Sequence, residues 1–455
     1  MNRKFDVVVV GSGSAGTTVA LAARARGRSV AVIDERPFGG TCTLRGCDPK
    51  KVLVYAAGVV DAAERLAQLG IVDRTPKLEW AKLMEFKRTF TDPIPAQRRK
   101  TYEDAGAVAI HGVAKFTSPQ TLAVNGDVLE AAHVVVAAGA KTLHVAQGDE
   151  ALLTSESFLE LESLPESLFF IGGGYIAFEF AHVAARAGAK VTILHRGAQP
   201  LNGFDPEVVE QLLSVTREVG IDVALQSTVK RVERQSDNVV AWVERNGEQT
   251  SFSAAAGVLA AGRVPDLDDL QLDAGNVERT NHGVKVNQFL QSVSNPNVYA
   301  AGDAADGGGL PLTPVAGYEG EVVAANVLDG NHRAAEFRGL ASLVYTSPPL
   351  ATVGLSEDAA RAQRIEYDVK RGDMTDWYTT RHEAGRRAYY KVLIEKKTRR
   401  ILGATILGPH AEEQINVISL AIHNELAADR VGTTLFGYPT GSSDLEYILG
   451  VAQQF

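Results

Sequence analysis

The order of hydrophobic and polar positions near the N-terminus is repeated once further along the chain. An apolar run over residues 5–10 is followed by a glycine-rich turn, an alanine-rich stretch over 17–26 and a second apolar run over 29–33. Short apolar runs bounded by glycine are typical of strands buried on both faces of a parallel sheet. A second copy of this unit starts at Leu168. The repeat predicts an α/β protein with two doubly wound nucleotide-binding domains.

The pattern of hydrophobic and polar residues changes twice in the rest of the chain. Residues 52–104 have a charged, mostly helical pattern with a break at Asp92-Pro93, and residues 107–137 and 220–260 are rich in strand patterns. From Gly339 onward the pattern predicts a separate α+β domain. The strands predicted there are 344–345, 352–353, 389–394 and 401–407, and the helices are 412–424 and 442–453.

Composition and charge narrow the class of protein. The 455 residues are 45% hydrophobic and 22% charged, which is ordinary for a globular chain. A net charge of −9 disfavours general binding to nucleic acid or to anionic membranes. The N-terminal apolar core is too short for a signal peptide, and no run approaches the roughly 18 residues that span a bilayer. We therefore expect a cytoplasmic protein.

Each copy of the repeated unit has the glycine pattern of a dinucleotide-binding turn. The first position permits a tight turn, the second lets the backbone approach a pyrophosphate, and the third lets helix and strand pack closely. The N-terminus of the following helix then presents unpaired N–H groups to the phosphates. The positions are Gly11, Gly13 and Gly16 in the first copy and Gly172, Gly174 and Ala177 in the second.

The residue types after the second strand of each copy differ. Asp34 closes the first copy, in position to accept a hydrogen bond from a ribose hydroxyl. His195 and Arg196 stand at the corresponding place in the second copy. A carboxylate there would repel a ribose 2′-phosphate, whereas Arg196 would attract it. The second site is therefore predicted to take NADPH rather than NADH.

Both cysteines of the chain lie in one glycine-punctuated turn directly after the first copy. They are Cys42 and Cys47. Two isolated buried thiols would be one interpretation, and two ligands of a metal site another, but no further cysteine and no nearby histidine completes a four-ligand site. A disulfide that opens and closes needs two thiols within reach and little else. The pattern favours a redox-active pair over a metal site.

In this order the motifs resemble a known family. The chain is similar, over essentially its whole length, to the class I pyridine nucleotide–disulfide oxidoreductases, the family of glutathione reductase, dihydrolipoamide dehydrogenase and mercuric reductase. The resemblance implies an FAD-binding domain (1–145 and 267–335), an NAD(P)-binding Rossmann domain (146–266) and a dimerisation domain (336–455). Further matching segments are Gly39–Cys47, Ala260–Pro265, Tyr299–Asp303, Leu312–Ala316 and Pro348–Leu355.

The resemblance also implies roles for individual residues. Electrons would pass from NADPH through FAD to the Cys42–Cys47 disulfide, with Cys47 as the charge-transfer thiolate and Cys42 as the interchange thiol that attacks substrate. Lys50 and Glu179 would form an ion pair beside the flavin, and Tyr175 would cover the flavin until nicotinamide displaces it. Asp34 and Asp303 would bind the adenosine ribose and the ribityl chain. Other cofactor-binding positions would be Gly40, Thr41, Lys51, Gly139, Gly262, Arg263, Gly302 and Thr313.

The chain departs from the family at the C-terminal motif. Disulfide reductases of this family mostly carry His-Pro-Thr-x-x-Glu, contributed across the dimer, in which the histidine shuttles protons. Here Tyr438 replaces the histidine and Ser443 the glutamate. A phenol can donate a proton but is a poor base at neutral pH. Asp444 is one residue out of register, so it is not expected to orient Tyr438.

Three further departures concern the thiols and the substrate. Leu21 and Glu321 occupy positions at which glutathione reductases carry arginines for glutathione carboxylates. Asp48 stands where the family mostly has an apolar residue; it would either raise the pKa of Cys47 or point to solvent or an arginine. Mercuric reductases also lack the His–Glu pair, but they end in two adjacent cysteines, and residues 450–455 contain none.

We therefore expect an FAD-dependent homodimer that reduces a low-molecular-weight disulfide other than glutathione disulfide, with Tyr438 of the partner subunit near the interchange thiol. One alternative is a reductase of thiophilic metal ions such as Hg(II) or Cu(II), in which the two cysteines bind the ion. A second is an NAD(P)H oxidase or quinone reductase that bypasses the cysteines. A third is a non-enzymatic subunit that keeps the fold and the flavin.

Overall fold

The computed structural model describes residues 2–245 and 247–451, and it divides into two compact units. The first unit comprises the described residues of 1–51, 85–143 and 262–337; the second comprises those of 52–84, 144–261 and 338–455. Residues 452–455, which include the end of the last predicted helix and most of the cysteine-free C-terminal stretch, lie outside the described residues.

The first unit is built on a seven-stranded sheet. Its parallel strands are Val108–His111, Val30–Asp34, Asn2–Val10, Asp127–Val136 and Val298–Ala300, and Thr121–Val124 and Lys115–Ser118 add antiparallel strands. The apolar run near the N-terminus is buried on both faces, as its sequence predicts. Val7 and Val9 pack with helix residues such as Val19, while Val8 and Val10 pack with Phe116 on the opposite face.

The second unit contains a second parallel sheet and a C-terminal antiparallel sheet. The parallel strands, in spatial order, are Ile221–Ala224, Lys190–Leu194, Ser167–Ile171, Ala256–Leu259 and Leu153–Thr154. The antiparallel strands are Ala341–Val344, Leu350–Gly354, Ile401–Leu407, Tyr389–Glu395 and Tyr367–Asp373. A three-stranded antiparallel sheet is formed by Ser227–Gln235, Asn238–Arg245 and Glu248–Ala254. The predicted fold class is confirmed.

The helices follow the predicted pattern with shifted ends. The break at Asp92-Pro93 separates Trp80–Thr91 from Ile94–Asp104. The helix predicted over 442–453 is instead a 3-10 turn, Gly441–Asp444, followed by the short helix Leu445–Ile448, because Gly450 adopts a positive φ and ends the helical path. No helix within residues 2–245 and 247–451 is long and apolar enough to cross a membrane. The other α-helices are Ser14–Ala25, Gly40–Arg45, Cys47–Gln68, Ser155–Phe158, Tyr175–Arg186, Pro206–Glu218, Thr313–Asp329, Glu357–Ala362, Tyr378–Arg381, Ala411–His423 and Ala428–Gly432.

Candidate active site

The first glycine turn joins strand Asn2–Val10 to helix Ser14–Ala25. Gly11 has a φ of +105°, and a Cβ there would lie 2.1 Å from the Ala137 carbonyl oxygen. A Cβ on Gly16 would lie 2.0 Å from the Gly11 carbonyl oxygen. Gly13 caps the helix without any side-chain hydrogen bond to its N–H groups. The turn therefore presents a bare helix N-terminus that fits an anionic pyrophosphate.

Asp34 fixes this turn from the end of the next strand. Its Oδ2 accepts hydrogen bonds from the backbone N–H of Ser12 at 2.8 Å and from the Ser12 hydroxyl at 2.5 Å. The Ser12 hydroxyl oxygen in turn accepts from the backbone N–H of Gly39 at 3.0 Å, just before the cysteine segment. The acid predicted to hold a ribose thus also holds the loop that would cradle the phosphates.

The second glycine turn precedes helix Tyr175–Arg186. Gly172 has a φ of +128°, and a Cβ there would lie 2.1 Å from the Ala260 carbonyl oxygen. The space around the Cβ position of Gly174 is open, and no side chain caps the helix. Tyr175 begins the helix and is 40% exposed. This turn also fits a pyrophosphate.

His195 and Arg196 have different environments. A Cβ on Gly173 would lie 2.4 Å from the His195 ring, whose Nε2 is 2.9 Å from the Gln199 carbonyl oxygen. Burial lowers the pKa of His195, so the neutral ring packs against the turn. Arg196 is exposed. Of the two, Arg196 is the residue whose charge faces solvent, where a phosphate can reach it.

Cys42 and Cys47 lie on two consecutive helices. Cys42 is in Gly40–Arg45, Gly46 joins the helices, and Cys47 begins the long helix Cys47–Gln68. The two sulfurs are not joined by a disulfide bond in this structure. The Cys47 sulfur lies 3.6 Å from the hydroxyl oxygen of Thr313, the first residue of helix Thr313–Asp329. The Thr313 hydroxyl thus stands beside a reactive sulfur.

The two sulfurs have opposite acid–base character. The hydrogen bond from Cys42 lowers the pKa of Cys47 to about 6, and the Thr313 hydroxyl and the charges of Lys50 and Lys51 act in the same direction against burial. The same hydrogen bond, together with burial, raises the pKa of Cys42. These opposite shifts favour a Cys47 thiolate beside a Cys42 thiol in the reduced pair.

Asp48 contacts Cys42 rather than Cys47. Its Oδ1 lies 3.8 Å from the Cys42 sulfur, and its negative charge adds to the increase in the pKa of Cys42. The carboxylate was expected to act on Cys47 or to point to solvent or an arginine. It is exposed, but it lies on the side of the interchange thiol.

The predicted ionic residues of the flavin site lie in the two different units. Lys50 is buried in the first unit, with 5% of its surface exposed. Glu179 is buried in the second unit, where its Oε1 accepts a hydrogen bond from the Tyr345 backbone N–H at 2.9 Å. Their pairing stays a prediction.

Sequence reasoning missed Glu319, which lies behind the Asp303 segment. Its Oε2 accepts a hydrogen bond from the backbone N–H of Gly302 at 2.6 Å, and burial raises its pKa to about 7. Burial also raises the pKa of Asp303, and the charge of Arg263 partly offsets that increase. The sequence does carry a signal for its burial, because Glu319 has the helical spacing of the buried positions Val315 and Val322.

Tyr438 is exposed in the C-terminal domain. It precedes a cis peptide bond to Pro439, and 77% of its surface is exposed. Its ring stacks on Tyr378 with centroids 6.2 Å apart, and Tyr378 stacks on His382 at 5.1 Å. Sequence reasoning missed this aromatic column, because Tyr378 and His382 come from a different segment of the chain.

The polar residues near the C-terminal motif form hydrogen bonds with residues other than Tyr438. Asp444 accepts a hydrogen bond from the Thr379 hydroxyl at 2.5 Å. Ser443 forms a reciprocal capping box with Thr440. A His–Glu pair does occur beside this loop, since His410 Nε2 lies 2.7 Å from the Glu383 carboxylate. Within the described residues, no group of three or more His, Cys, Asp or Glu could hold a metal ion.

Comparison with known proteins decides the family. The model of the pyridine nucleotide-disulphide oxidoreductases matches residues 5–320, and the model of their dimerisation domain matches residues 340–447. The chain belongs to the pyridine nucleotide-disulphide oxidoreductases. It is a flavoprotein oxidoreductase of the class I type, and the expected family is confirmed. FAD and a pyridine nucleotide are typical of this family, and the dimerisation domain suggests a homodimer.

Relatives of this oxidoreductase have several different activities. It is 32% identical over 438 residues to a glutathione reductase of Burkholderia cepacia, covering 96% of each chain. It is 30% identical to a mercuric reductase of Bacillus cereus, covering 98% of this chain and 71% of that protein. The HOCl-induced flavoprotein disulfide reductase RclA from Escherichia coli superposes with a TM-score of 0.86 at 25% identity, covering 98% of this chain and 100% of that one.

Proposed function

We propose that this oxidoreductase uses NADPH to reduce a low-molecular-weight disulfide through Cys42 and Cys47. The single observation that carries the proposal is the asymmetric environment of the pair: the Cys47 sulfur lies 3.6 Å from the Thr313 hydroxyl, and the Cys42 sulfur lies 3.8 Å from the Asp48 carboxylate. This environment lowers the pKa of Cys47 and raises that of Cys42. When bound, FAD supplies the transfer of two electrons between nicotinamide and the disulfide. The residues that would hold it are those of the first glycine turn together with Asp34 and Asp303.

The thiol chemistry follows from that asymmetry. The Cys42 sulfur loses its proton and attacks one sulfur of the acceptor, forming a mixed disulfide and releasing the first thiolate, which takes up a proton. The Cys47 thiolate then attacks the Cys42 sulfur, re-forms the Cys42–Cys47 bond and releases the second thiolate. Tyr438 of the partner subunit would donate a proton to a leaving thiolate.

The preference for NADPH rests on Arg196. The exposed guanidinium suits a 2′-phosphate, whereas the neutral, packed ring of His195 adds no charge. Replacing Arg196 by Ala should raise the KM for NADPH about tenfold and leave the KM for NADH nearly unchanged. Equal effects on both cofactors would contradict this assignment.

Two residues argue against glutathione disulfide as the acceptor. Leu21 packs against the core of the first unit and offers no charge. The Glu321 carboxylate lies 3.5 Å from the Arg333 guanidinium, and both side chains are exposed. A substrate carboxylate would meet an acid at Glu321, and it would have to displace that acid to reach Arg333. We therefore propose an acceptor other than glutathione disulfide, although one relative is a glutathione reductase.

An anaerobic NADPH titration followed by visible absorbance tests the electron path. Wild type should develop a long-wavelength charge-transfer band that Cys47→Ser lacks, and turnover with small disulfides should vanish in Cys42→Ser. Bleaching of the flavin in both proteins without the band would overturn the proposal and favour an oxidase or quinone reductase. NADPH oxidation that only Hg(II) or Cu(II) stimulates would favour a metal-ion reductase.

A further inference from the structure

We propose that Asp48 holds the proton of the interchange thiol Cys42 and thereby sets the pH at which this sulfur attacks its acceptor. The proposal rests on the proposed function, in which Cys42 is the attacking sulfur. It assigns to a residue of the same subunit part of the proton control that a histidine provides in most disulfide reductases of the family. Tyr438, which stands in place of that histidine, can donate a proton to a leaving thiolate but is a poor base at neutral pH, so we assign the retention of the Cys42 proton to Asp48.

The placement of Asp48 is fixed by the helix that begins at Cys47. Asp48 is the second residue of helix Cys47–Gln68 and is followed by the buried residue Pro49. Its Oδ1 lies 3.8 Å from the Cys42 sulfur, within reach of an S–H···O hydrogen bond. The carboxylate therefore touches the atom that reacts.

The charged groups near the two sulfurs have opposite charges. Cys42 faces the Cys47 sulfur, the Thr313 hydroxyl and the Asp48 carboxylate. Cys47 faces the Cys42 thiol and the Thr313 hydroxyl, and it is influenced by the cations Lys50 and Lys51. A carboxylate beside a thiol stabilises the protonated form, whereas ammonium groups stabilise a thiolate. The single proton of the reduced pair is thereby kept on Cys42.

This arrangement has a direct kinetic consequence. Only the thiolate form of Cys42 is a nucleophile. Before it attacks, Cys42 must therefore lose the proton that Asp48 stabilises. At neutral pH the reduced pair should stay in the form with a Cys47 thiolate and a Cys42 thiol. Attack by Cys42 should accelerate as the pH rises, and removal of the Asp48 charge should move that acceleration to lower pH.

Alkylation of the two thiols measures this proton directly. The flavoprotein is reduced with a phosphine, the phosphine is removed, and iodoacetamide is added over a range of neutral and alkaline pH. Arg45 lies between the cysteines, so trypsin places Cys42 and Cys47 in different peptides whose labelling can be quantified separately. The matched variant is Asp48→Asn, which keeps the shape of the side chain and removes its charge. Glu130→Gln, which removes an exposed carboxylate that pairs with Lys4, is the control for net charge.

In Asp48→Asn, the midpoint of Cys42 alkylation should fall by about one pH unit, and the rate at neutral pH should rise about tenfold. Asp48→Glu should lie between this variant and wild type, and Glu130→Gln should match wild type. Identical Cys42 profiles in wild type and Asp48→Asn, or a shift confined to Cys47, would overturn the proposal. The assay uses neither NADPH nor an acceptor, so its result is independent of the electron path, and retained flavin absorbance shows that the variants are folded.

Discussion

At the residue scale, the reactivity of each sulfur depends on its neighbours. Cys42 and Cys47 are chemically the same side chain, five positions apart in the sequence. Both sulfurs face the Thr313 hydroxyl, but the Asp48 carboxylate acts on Cys42 and the charges of Lys50 and Lys51 act on Cys47. In the proposed function, the Cys47 thiolate forms the charge-transfer complex with the flavin. The Cys42 thiol must lose its proton before it attacks an acceptor.

Replacing Thr313 by Val should raise the pKa of Cys47 above its value of about 6, because the hydroxyl near the thiolate is lost. The thiolate is present above this pKa, so the variant should lose its charge-transfer band at a higher pH than wild type does. The measurement is the band's absorbance as a function of pH in the reduced enzyme. Thr313→Ser keeps the hydroxyl and should match wild type. If the band of Thr313→Val disappears at the same pH as that of wild type, the hydroxyl does not stabilise the thiolate.

Glu319 should make the stability of the protein depend on pH. Its folded-state pKa of about 7 lies above the ordinary value of 4.5, so the folded protein binds more protons than the unfolded chain between these values. Stability is therefore lost as the pH rises through this window, by about 3 kcal/mol. Glu319→Gln keeps an acceptor for the Gly302 N–H without this penalty.

The thermal midpoint of Glu319→Gln should match wild type near pH 5 and exceed it above pH 7. Glu321→Gln, an exposed position on the same helix, is the matched control and should show no such divergence. Parallel curves for Glu319→Gln and wild type across this range would show that Glu319 ionises normally.

At the scale of elements, one buried carboxylate joins several segments of the second unit. Asp61, on helix Cys47–Gln68, is fully buried and lies 2.7 Å from the Arg186 guanidinium of helix Tyr175–Arg186. It also accepts a hydrogen bond from the Ser347 hydroxyl at 2.7 Å and pairs with Arg65 one helical turn away. The sequence pattern predicts each helix but not this junction.

Asp61→Ala should destabilise the protein by about 3–5 kcal/mol, because buried guanidinium groups lose their carboxylate. Asp61→Asn keeps hydrogen-bonding capacity and should cost less. The control is Lys100→Ala, which breaks an exposed pair with Asp104 and should leave the thermal midpoint unchanged. If Asp61→Ala and the control have the same thermal midpoint, other groups compensate the positive charge of the buried guanidinium groups.

At the scale of the whole molecule, the proposal that Tyr438 of one subunit serves Cys42 of its partner predicts a site built from two subunits. If Tyr438 serves Cys42 of the partner, a heterodimer of a Cys47→Ser subunit and a Tyr438→Ala subunit contains one complete site. Its disulfide reductase activity should be about half that of wild type, whereas each mutant homodimer should be strongly impaired. Differently tagged, co-expressed subunits allow the heterodimer to be purified. Activity no higher than that of the homodimers would place Tyr438 and Cys42 of one subunit in the same site.

Much of the fold could be predicted from the sequence because its signals are local. Strand Asn2–Val10 and the glycine turns are encoded by short runs whose burial and φ values allow few residue types. The end of the chain was less predictable. The helix expected over 442–453 is shorter, because apolar spacing alone does not show where Gly450 interrupts the backbone.

The sequence alone determined the fold class, the two nucleotide-binding turns and the cysteine pair, because each depends on residues close together in the chain. Only the tertiary structure decided which sulfur faces Asp48, and it alone brought the Thr313 hydroxyl to the pair, since that hydroxyl comes from a helix far away in the sequence. It likewise revealed the buried Glu319 and the stacking of Tyr438 on Tyr378. A pKa and a stacked ring depend on groups that meet only after the chain has folded.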